Sequence, residues 1–344
     1  MRAANRAIEN EASVERAAGE RRRKNAAKRA RMAAKRQADF MPVVAPVDGP
    51  RLERHVDAEL VPPSPRGGLL EVFQQPYLLK LIVGRQLAAM YAASLFGLLW
   101  SYIQPGLRFG IYYIVFGFVL NLHQGTPYFA LHLFTGQVVV HYFGETWSGA
   151  TRSIWSNKTL VKKMRMPREI FPVAAMVVAG YHTFPQMLVL AVFCLIAGWH
   201  ITWAALAAGI LGMLILGVFT ASLALTFSAL NVFYRDFQNV VHTFMQFMHF
   251  VVPMMYPFSK VWRAAASHPI MYQIYMANPI AQAVILVQQL FWYCLIEDPG
   301  SLKHRQQPPD MWVRGFITLG VCILLLYLAQ KFFSRVEGKF PERL

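Results

Sequence analysis

Residues 203–230, WAALAAGILGMLILGVFTASLALTFSAL, form an apolar stretch without a single charged side chain. A helix rises ~1.5 Å per residue, so about 20 apolar residues cross the ~30 Å hydrocarbon core of a bilayer. The stretch is long enough to do so, and runs of this length are typical of transmembrane segments rather than of soluble domains. We therefore expect the chain to be embedded in a membrane.

Other apolar stretches of spanning length lie at about residues 104–122, 127–147, 170–198 and 312–331. A sixth, at about 238–258, has a polar side, and Pro253 predicts a kink in it. Hydrophobic residues make up 56% of the chain and charged residues only 15%, which agrees with this assignment. The predicted fold class is an all-α polytopic membrane protein with six transmembrane helices.

The segments outside these stretches have different patterns. Residues 69–100 mix apolar and polar side chains, which predicts an N-terminal helix along the membrane interface. The short run 280–295 is broken by glutamines and predicts a re-entrant or interfacial segment rather than a seventh span. Residues 1–66 predict a basic, disordered cytoplasmic tail with a Pro-rich linker, and 67–344 the transmembrane domain. The tail is either solvated or attracted to anionic lipids.

Lysine and arginine mark the expected cytoplasmic side of the membrane. They are frequent in residues 1–39, 148–169 and 331–344, and absent from the connections 122–127 and 198–203. Six spans place both ends of the chain on the same side. We therefore predict that both termini are cytoplasmic.

The basic stretch IWSNKTLVKKMRMPREIFP, residues 154–172, connects the second and third predicted spans. Lys158, Lys162 and Arg165 are spaced to share one face of a helix, which Pro167 would end. The apolar side of this helix can turn toward the membrane and consists of Ile154, Val161 and Met164. Two interpretations stay open: a positive-inside anchor, or a helix that docks on a partner protein.

The sequence contains no GxxxxGK[ST], DxD, HExxH or GxSxG motif, so the usual ATPases, metal-dependent glycosyltransferases and hydrolases are excluded, and no catalytic residue is predicted. The histidines are dispersed; no metal site is predicted, and they are expected to hydrogen-bond neighbouring helices. Glu145 is the one candidate for an ion-coupling carboxylate, and an interfacial ion pair near the basic connection is its simpler interpretation.

Aromatic residues cluster near the ends of several predicted spans. They form either interfacial belts or the lining of a wide pathway, because the C–H faces of sugar rings stack on aromatic rings. The candidate glycan-pathway residues are Tyr112, Tyr113, Phe116, Tyr142, Phe143, Trp147 and Tyr256.

Five motifs together resemble a known family. They are YAASLFGLLWSYIQP (91–105), NKTLVKKMRMPREIFP (157–172), NVFYRDFQNVV (231–241), PMMYP (253–257) and MANPI (276–280). In this order and spacing they resemble the membrane subunit of ABC-2-type exporters of polysaccharides and polyol-phosphate polymers, which handle O-antigen, capsule, teichoic acid or mycobacterial galactan.

The resemblance implies a homodimer in the bacterial plasma (inner) membrane, paired with two copies of a separate nucleotide-binding ATPase subunit. ATP and Mg belong to that partner; this chain is expected to bind no cofactor and no nucleic acid. The resemblance also implies outer re-entrant helices between spans five and six, and it implies that the basic connection docks on the ATPase. The implied ATPase-coupling residues are Asn157, Lys158, Lys162, Lys163, Arg165, Pro167, Arg235 and Asp236.

The implied substrate is a polyprenyl-diphosphate-linked polysaccharide that moves between the first and fifth spans of the two copies. The Ala/Arg bias of the tail is typical of a high-GC bacterium and makes a galactan or O-antigen-like glycan the leading cargo. Candidate contacts to the lipid diphosphate are Lys80, Arg85 and Arg108, although Arg108 can instead snorkel to the head groups. The family usually has basic residues where Ala89 and Met90 precede Tyr91.

Two alternatives belong to other classes. An integral-membrane enzyme acting on polyprenyl-linked sugars would need carboxylates or histidines clustered on one membrane face. An ion-coupled secondary transporter would need charges near the midplane and often internal repeats. Neither pattern is visible in the sequence.

Overall fold

The computed structural model describes residues 68–92, 95–164, 166–265, 268–296, 308 and 310–344. Within these ranges the chain is helical and contains no strand. The predicted tail and linker, residues 1–66, lie outside the described residues, as does Arg165. In chain order the helices are α1 Gly68–Gln74, α2 Pro76–Tyr91, α3 Trp100–Tyr112, α4 Phe129–Ser156, α5 Lys158–Lys163, α6 Ile170–Ile196, α7 Trp203–Phe233, α8 Phe237–Val251, α9 Phe258–Ala265, α10 Pro269–Met276, α11 Pro279–Phe291, α12 Met311–Val336 and α13 Phe340–Arg343.

Three helical segments of the described chain are long and apolar enough to cross a bilayer: α6, α7 and the run Met311–Arg343. The segments Pro269–Met276 and Pro279–Leu295 pass the same test together, but they are bent by 77° and form either a broken span or a re-entrant loop. The all-helical membrane fold is therefore confirmed at the level of three or four spans. The count of six spans stays a prediction.

The remaining predicted spans differ from these for identifiable reasons. Helix α4 has 28 residues, but polar side chains such as His132, His141 and Glu145 lower its hydropathy. Helix α3 has 13 residues and continues as a seven-residue π-helix, Tyr113–Val119. Helix α8 ends after 15 residues at Val251, where a kink was expected, because Pro253 disfavours a helical Val252 and this residue is extended.

Helix α7 lies at the centre of the fold and packs against α4, α11 and α12. Small residues allow the close approach to α11. A Cβ atom at Gly209 would lie 2.5 Å from Leu290 Cδ2, and one at Gly212 would lie 2.9 Å from Leu286 Cβ. The two helices could not keep this spacing with larger residues at these positions.

Candidate functional site

The basic connection begins where Asn157 ends α4. Its Nδ2 donates a hydrogen bond of 2.8 Å to the Ser153 carbonyl oxygen, and its Oδ1 accepts one of 3.1 Å from Arg85 Nη2. The short helix α5 follows and ends at Lys163, with Met164 extended. The helix therefore ends earlier than the sequence predicted from Pro167, and Asn157 separates it from α4.

Trp155 joins the two regions that the sequence assigned to ATPase coupling. Its ring lies 3.8 Å from Cζ of Arg235, in the loop between α7 and α8, and 5.1 Å from Nζ of Lys158 in α5. Both cations are exposed and the ring is half-buried. Such contacts between a cation and an aromatic face are attractive. Trp155 was missed from the sequence, although its spacing of three from Lys158 indicates one helical face.

The two sides of the connection differ in exposure. Lys162 and Lys163 are exposed, as is Met164. Ile154 and Val161 are buried, in a hydrophobic cluster that includes residues of α1, α2, α6, α7 and α12. The expectation that these two residues turn toward the membrane was wrong, because the body of the protein covers them. The exposed lysines of α5 therefore lie on a surface whose opposite, apolar side packs against the body of the protein.

Arg168 and Glu169 are buried, at 3% and 1% exposure, and contact the C-terminal segment. Arg168 Nη1 donates to the Glu337 carbonyl oxygen, and its guanidinium lies 5.8 Å from the Phe340 ring. Glu169 Oε1 accepts a 2.9 Å hydrogen bond from Gln330 Nε2. Burial lowers the pKa of Arg168, and the nearby carboxylates of Glu337 and Glu169 oppose this shift. The end of the connection is therefore anchored to the end of α12.

A cavity of about 640 Å³ is lined mainly by residues of α2, α3, α4, α6 and α8. We call it the polar cavity. Its lining includes eight charged or titratable side chains, Tyr91, Arg108, Tyr112, His141, Glu145, His182, His242 and His249. These residues are dispersed in the sequence, and the folding of five helices brings them to one place. Among the described residues no group of three or more His, Cys, Asp or Glu side chains is arranged to hold a metal ion.

A hydrogen-bond chain crosses the wall of the polar cavity. Tyr91 Oη lies 2.8 Å from Ser101 Oγ and 2.8 Å from His182 Nε2, and His182 Nδ1 is hydrogen-bonded to Glu145 Oε1. Both ring nitrogens of His182 therefore have a hydrogen-bond partner, Nδ1 in Glu145 Oε1 and Nε2 in the Tyr91 hydroxyl. These hydrogen bonds connect α2, α3, α6 and α4. Glu145 therefore has a histidine of α6 as its partner, whereas the sequence indicated an interfacial ion pair near the basic connection.

The candidate glycan-pathway residues are distributed over several places. Tyr112 lines the polar cavity, and Tyr142 lines an apolar cavity of about 280 Å³. Phe143 and Trp147 are buried in the main hydrophobic core. The others pack against neighbouring aromatic rings or hydroxyls: Tyr113 on Phe109 and Phe129, Phe116 on Tyr112, and Tyr256 on Tyr275. The single chain does not bring these seven residues to one surface.

The candidate diphosphate contacts are also separate. Arg108 lines the polar cavity. Arg85, which is bonded to Asn157, lines a second cavity of about 350 Å³, and Glu145 lines both. Lys80 is exposed on α2 and lines neither. Glu145 thus lies between two cavities that each contain one of the predicted arginines.

Asp236 is exposed next to Arg235, and Pro167 is buried beside Arg168.

The chain is similar in sequence to three curated relatives, while no family model matches it. The O-antigen export system permease protein RfbA of Myxococcus xanthus is 26% identical over 281 residues, which cover 80% of this chain and 98% of the relative. The protein of the same name from Klebsiella pneumoniae is 28% identical over 273 residues, 78% of this chain and 95% of the relative.

These relatives are named as permeases, which are transport proteins and not enzymes, so the prediction of a transporter permease is confirmed. The alignments leave out about a fifth of the chain. The resemblance drawn from the five motifs is thereby confirmed as well: this multi-pass membrane protein is a relative of the ABC-2-type permeases of O-antigen export systems.

Proposed function

We propose that this chain is the transmembrane subunit of an ATP-driven exporter. Two copies, paired with two nucleotide-binding subunits that bind ATP and Mg, would move a polyprenyl-diphosphate-linked polysaccharide out of the cytoplasm across the bacterial plasma membrane. An O-antigen-like glycan or a galactan is the leading cargo. The observation that supports this proposal most directly is the contact of the Trp155 ring with both Lys158 of the basic connection and Arg235 of the loop before α8.

The geometry around Trp155 suits the transfer of force from a partner. The exposed lysines of α5 offer a cationic surface, and the buried Ile154 and Val161 fix that surface to the body of the domain. Helix α4 runs without interruption from Trp155 to Glu145. Ten residues of helix correspond to ~15 Å, so a displacement at the connection reaches the polar cavity along one rigid element. The loop at Arg235 would move with it, and α8 begins two residues later.

The cations near the cavities suit a diphosphate group. Guanidinium groups bind phosphate oxygens through paired hydrogen bonds. Arg108 and Arg85 lie on the two sides of Glu145, in two neighbouring cavities. We infer that the diphosphate of the lipid carrier contacts Arg108 in the polar cavity. Arg85 donates a hydrogen bond to Asn157, so we infer that it both contacts the substrate and orients the basic connection.

ATP hydrolysis by the complex tests this function. The chain is co-expressed with its nucleotide-binding subunit, and the wild type is compared with the variant Lys162→Glu/Lys163→Glu. We expect the charge reversal to abolish co-purification or to uncouple hydrolysis from transport. The matched control is Lys331→Glu, which reverses an exposed lysine on α12 rather than on α5. If the double variant retains both the partner and coupled hydrolysis, the basic connection is only a membrane anchor and the proposal fails.

A further inference from the structure

Glu145 has one carboxylate oxygen that is buried in the wall of the polar cavity and has no hydrogen-bond partner among the described residues. The other oxygen, Oε1, is bonded to His182 Nδ1. His141 Nδ1 lies 3.8 Å from the free oxygen Oε2, which is too long for a hydrogen bond. A buried acceptor without a donor costs free energy. The site therefore lacks a donor, which a ligand can supply.

The chemistry of that donor narrows the choice of ligand. A phosphate oxygen is itself an acceptor and would be repelled by the carboxylate. A hydroxyl group can donate to Oε2 and accept from another side chain at the same time. Sugar rings carry several such hydroxyls. The free oxygen thus favours a polyol over the diphosphate group that suits Arg108.

The rest of the lining agrees with a sugar. Ser148 and Gln246 add polar groups that both donate and accept, while Trp100 and Tyr112 offer flat apolar rings to the C–H face of a pyranose. A few placed polar groups among aromatic walls are typical of small-molecule sites, whose volumes are about 300–1,000 Å³. The cavity volume of about 640 Å³ lies within that range.

We propose that the polar cavity holds the carrier-proximal sugar of the lipid-linked glycan, and that Glu145 Oε2 accepts a hydrogen bond from one of its hydroxyls. The inference rests on the proposed function, because it needs a lipid-linked glycan as substrate. Arg108 holds the diphosphate and Glu145 recognises the sugar attached to it. The hydrogen bonds of Oε1 to His182 and of His182 to Tyr91 hold the carboxylate in place in the cavity wall.

Two lipid probes separate these contacts. One is a short-chain polyprenyl diphosphate, and the other is the same molecule with one hexose on the diphosphate. Binding to the detergent-purified complex is measured for each. The wild type should bind the hexose form more tightly. Glu145→Gln should remove this preference, weakening the hexose form about tenfold or more, since the charged acceptor is lost, and should leave the bare diphosphate unaffected. Arg108→Gln should weaken both probes equally.

Two further variants guard against a folding defect in Glu145→Gln. Tyr91→Phe removes the hydrogen bond to His182, one of the two that orient the carboxylate, but retains the free oxygen, so it should reduce the preference only in part. Ser148→Leu fills the cavity without touching that chain and should remove the preference. Equal binding of both probes by the wild type, or equal losses for both in Glu145→Gln, would overturn the sugar site while leaving the exporter function intact. If the wild type binds neither probe, the lipid-linked substrate itself is wrong and the proposed function falls with the inference.

Discussion

The guanidinium carbon of Arg235 lies 3.8 Å from the ring of Trp155, so the end of α4 and the loop before α8, about 80 residues apart in the sequence, share one side-chain contact. The Trp155 ring also contacts the ammonium group of Lys158 in α5. The first prediction concerns this ring. Trp155→Ala should reduce transport coupled to ATP hydrolysis severalfold and change the thermal stability little, because an exposed cation–π contact contributes only about 0.5–1 kcal/mol.

Trp155→Phe is the matched control for that variant. Phenylalanine keeps an aromatic face of smaller size, so most of the coupling should remain. The measurement is the ratio of lipid-linked glycan transported to ATP hydrolysed in proteoliposomes. Equal ratios in the wild type and in Trp155→Ala would contradict the role given to this contact.

The second prediction concerns Arg168. Its guanidinium is buried and donates to the Glu337 carbonyl oxygen, so Arg168→Ala would leave that acceptor and the carboxylate of Glu169 without a cation nearby. Loss of a charged hydrogen bond in such a place costs about 1.5–3 kcal/mol. Thermal unfolding in detergent should show a clearly lower midpoint. Arg335→Ala, which removes an exposed arginine of α12, should unfold like the wild type, and the argument fails if the two variants behave alike.

The third prediction concerns the contact of α7 with α11. Gly212→Ala places a Cβ 2.9 Å from Leu286 Cβ and 3.0 Å from the Ala283 carbonyl oxygen, so the helices must separate. Overpacking of this kind costs about 1–3 kcal/mol. Gly217→Ala in the same helix meets no atom within 4 Å and should be neutral or slightly stabilising. Resistance to detergent or heat measures both, and a Gly212→Ala protein as stable as Gly217→Ala would refute the close packing.

The fourth prediction separates Arg85 from Lys80, two cations of α2 that the sequence treated alike. Arg85→Ala removes the hydrogen bond to Asn157, so it should lower both lipid-stimulated ATP hydrolysis and the coupling ratio. Lys80→Ala should change neither by more than about twofold, because Lys80 is exposed and lines neither cavity. A larger effect of Lys80→Ala than of Arg85→Ala would reverse this assignment.

The helical positions and the exposed charges of the basic connection were predictable, because apolar length and charge are local properties of the sequence. The stretch 203–230 became α7, and 170–198 became α6, with ends displaced by a few residues. The apolar face that contains Ile154 and Val161 was recognised, but it was assigned to the membrane, whereas it packs against the protein. A periodic pattern identifies a face to be covered and does not distinguish lipid from protein as its cover.

The polar cavity could not be predicted in the same way. Tyr91 and His182 are 91 residues apart, and only the tertiary fold brings them together. One signal was available on α4. His141 and Glu145 are four residues apart and share a helical face, whereas Phe143 and Trp147 share a different one. Taking HYFGETW as a single aromatic cluster combined a face that lines the cavity with a face that is buried in the core.

The contact between Arg168 and Glu337 also has a consequence for biosynthesis. The two residues are 169 positions apart, and ribosomes add about 5–20 residues per second. The connection is therefore made about 10–30 s before the segment that anchors it. Until Glu337 and Phe340 have emerged, the surface of α5 lacks its support. Under the proposed function, a nascent chain that is interrupted before this point would insert its early helices without the anchor of the basic connection, so docking of the ATPase would depend on completion of the chain.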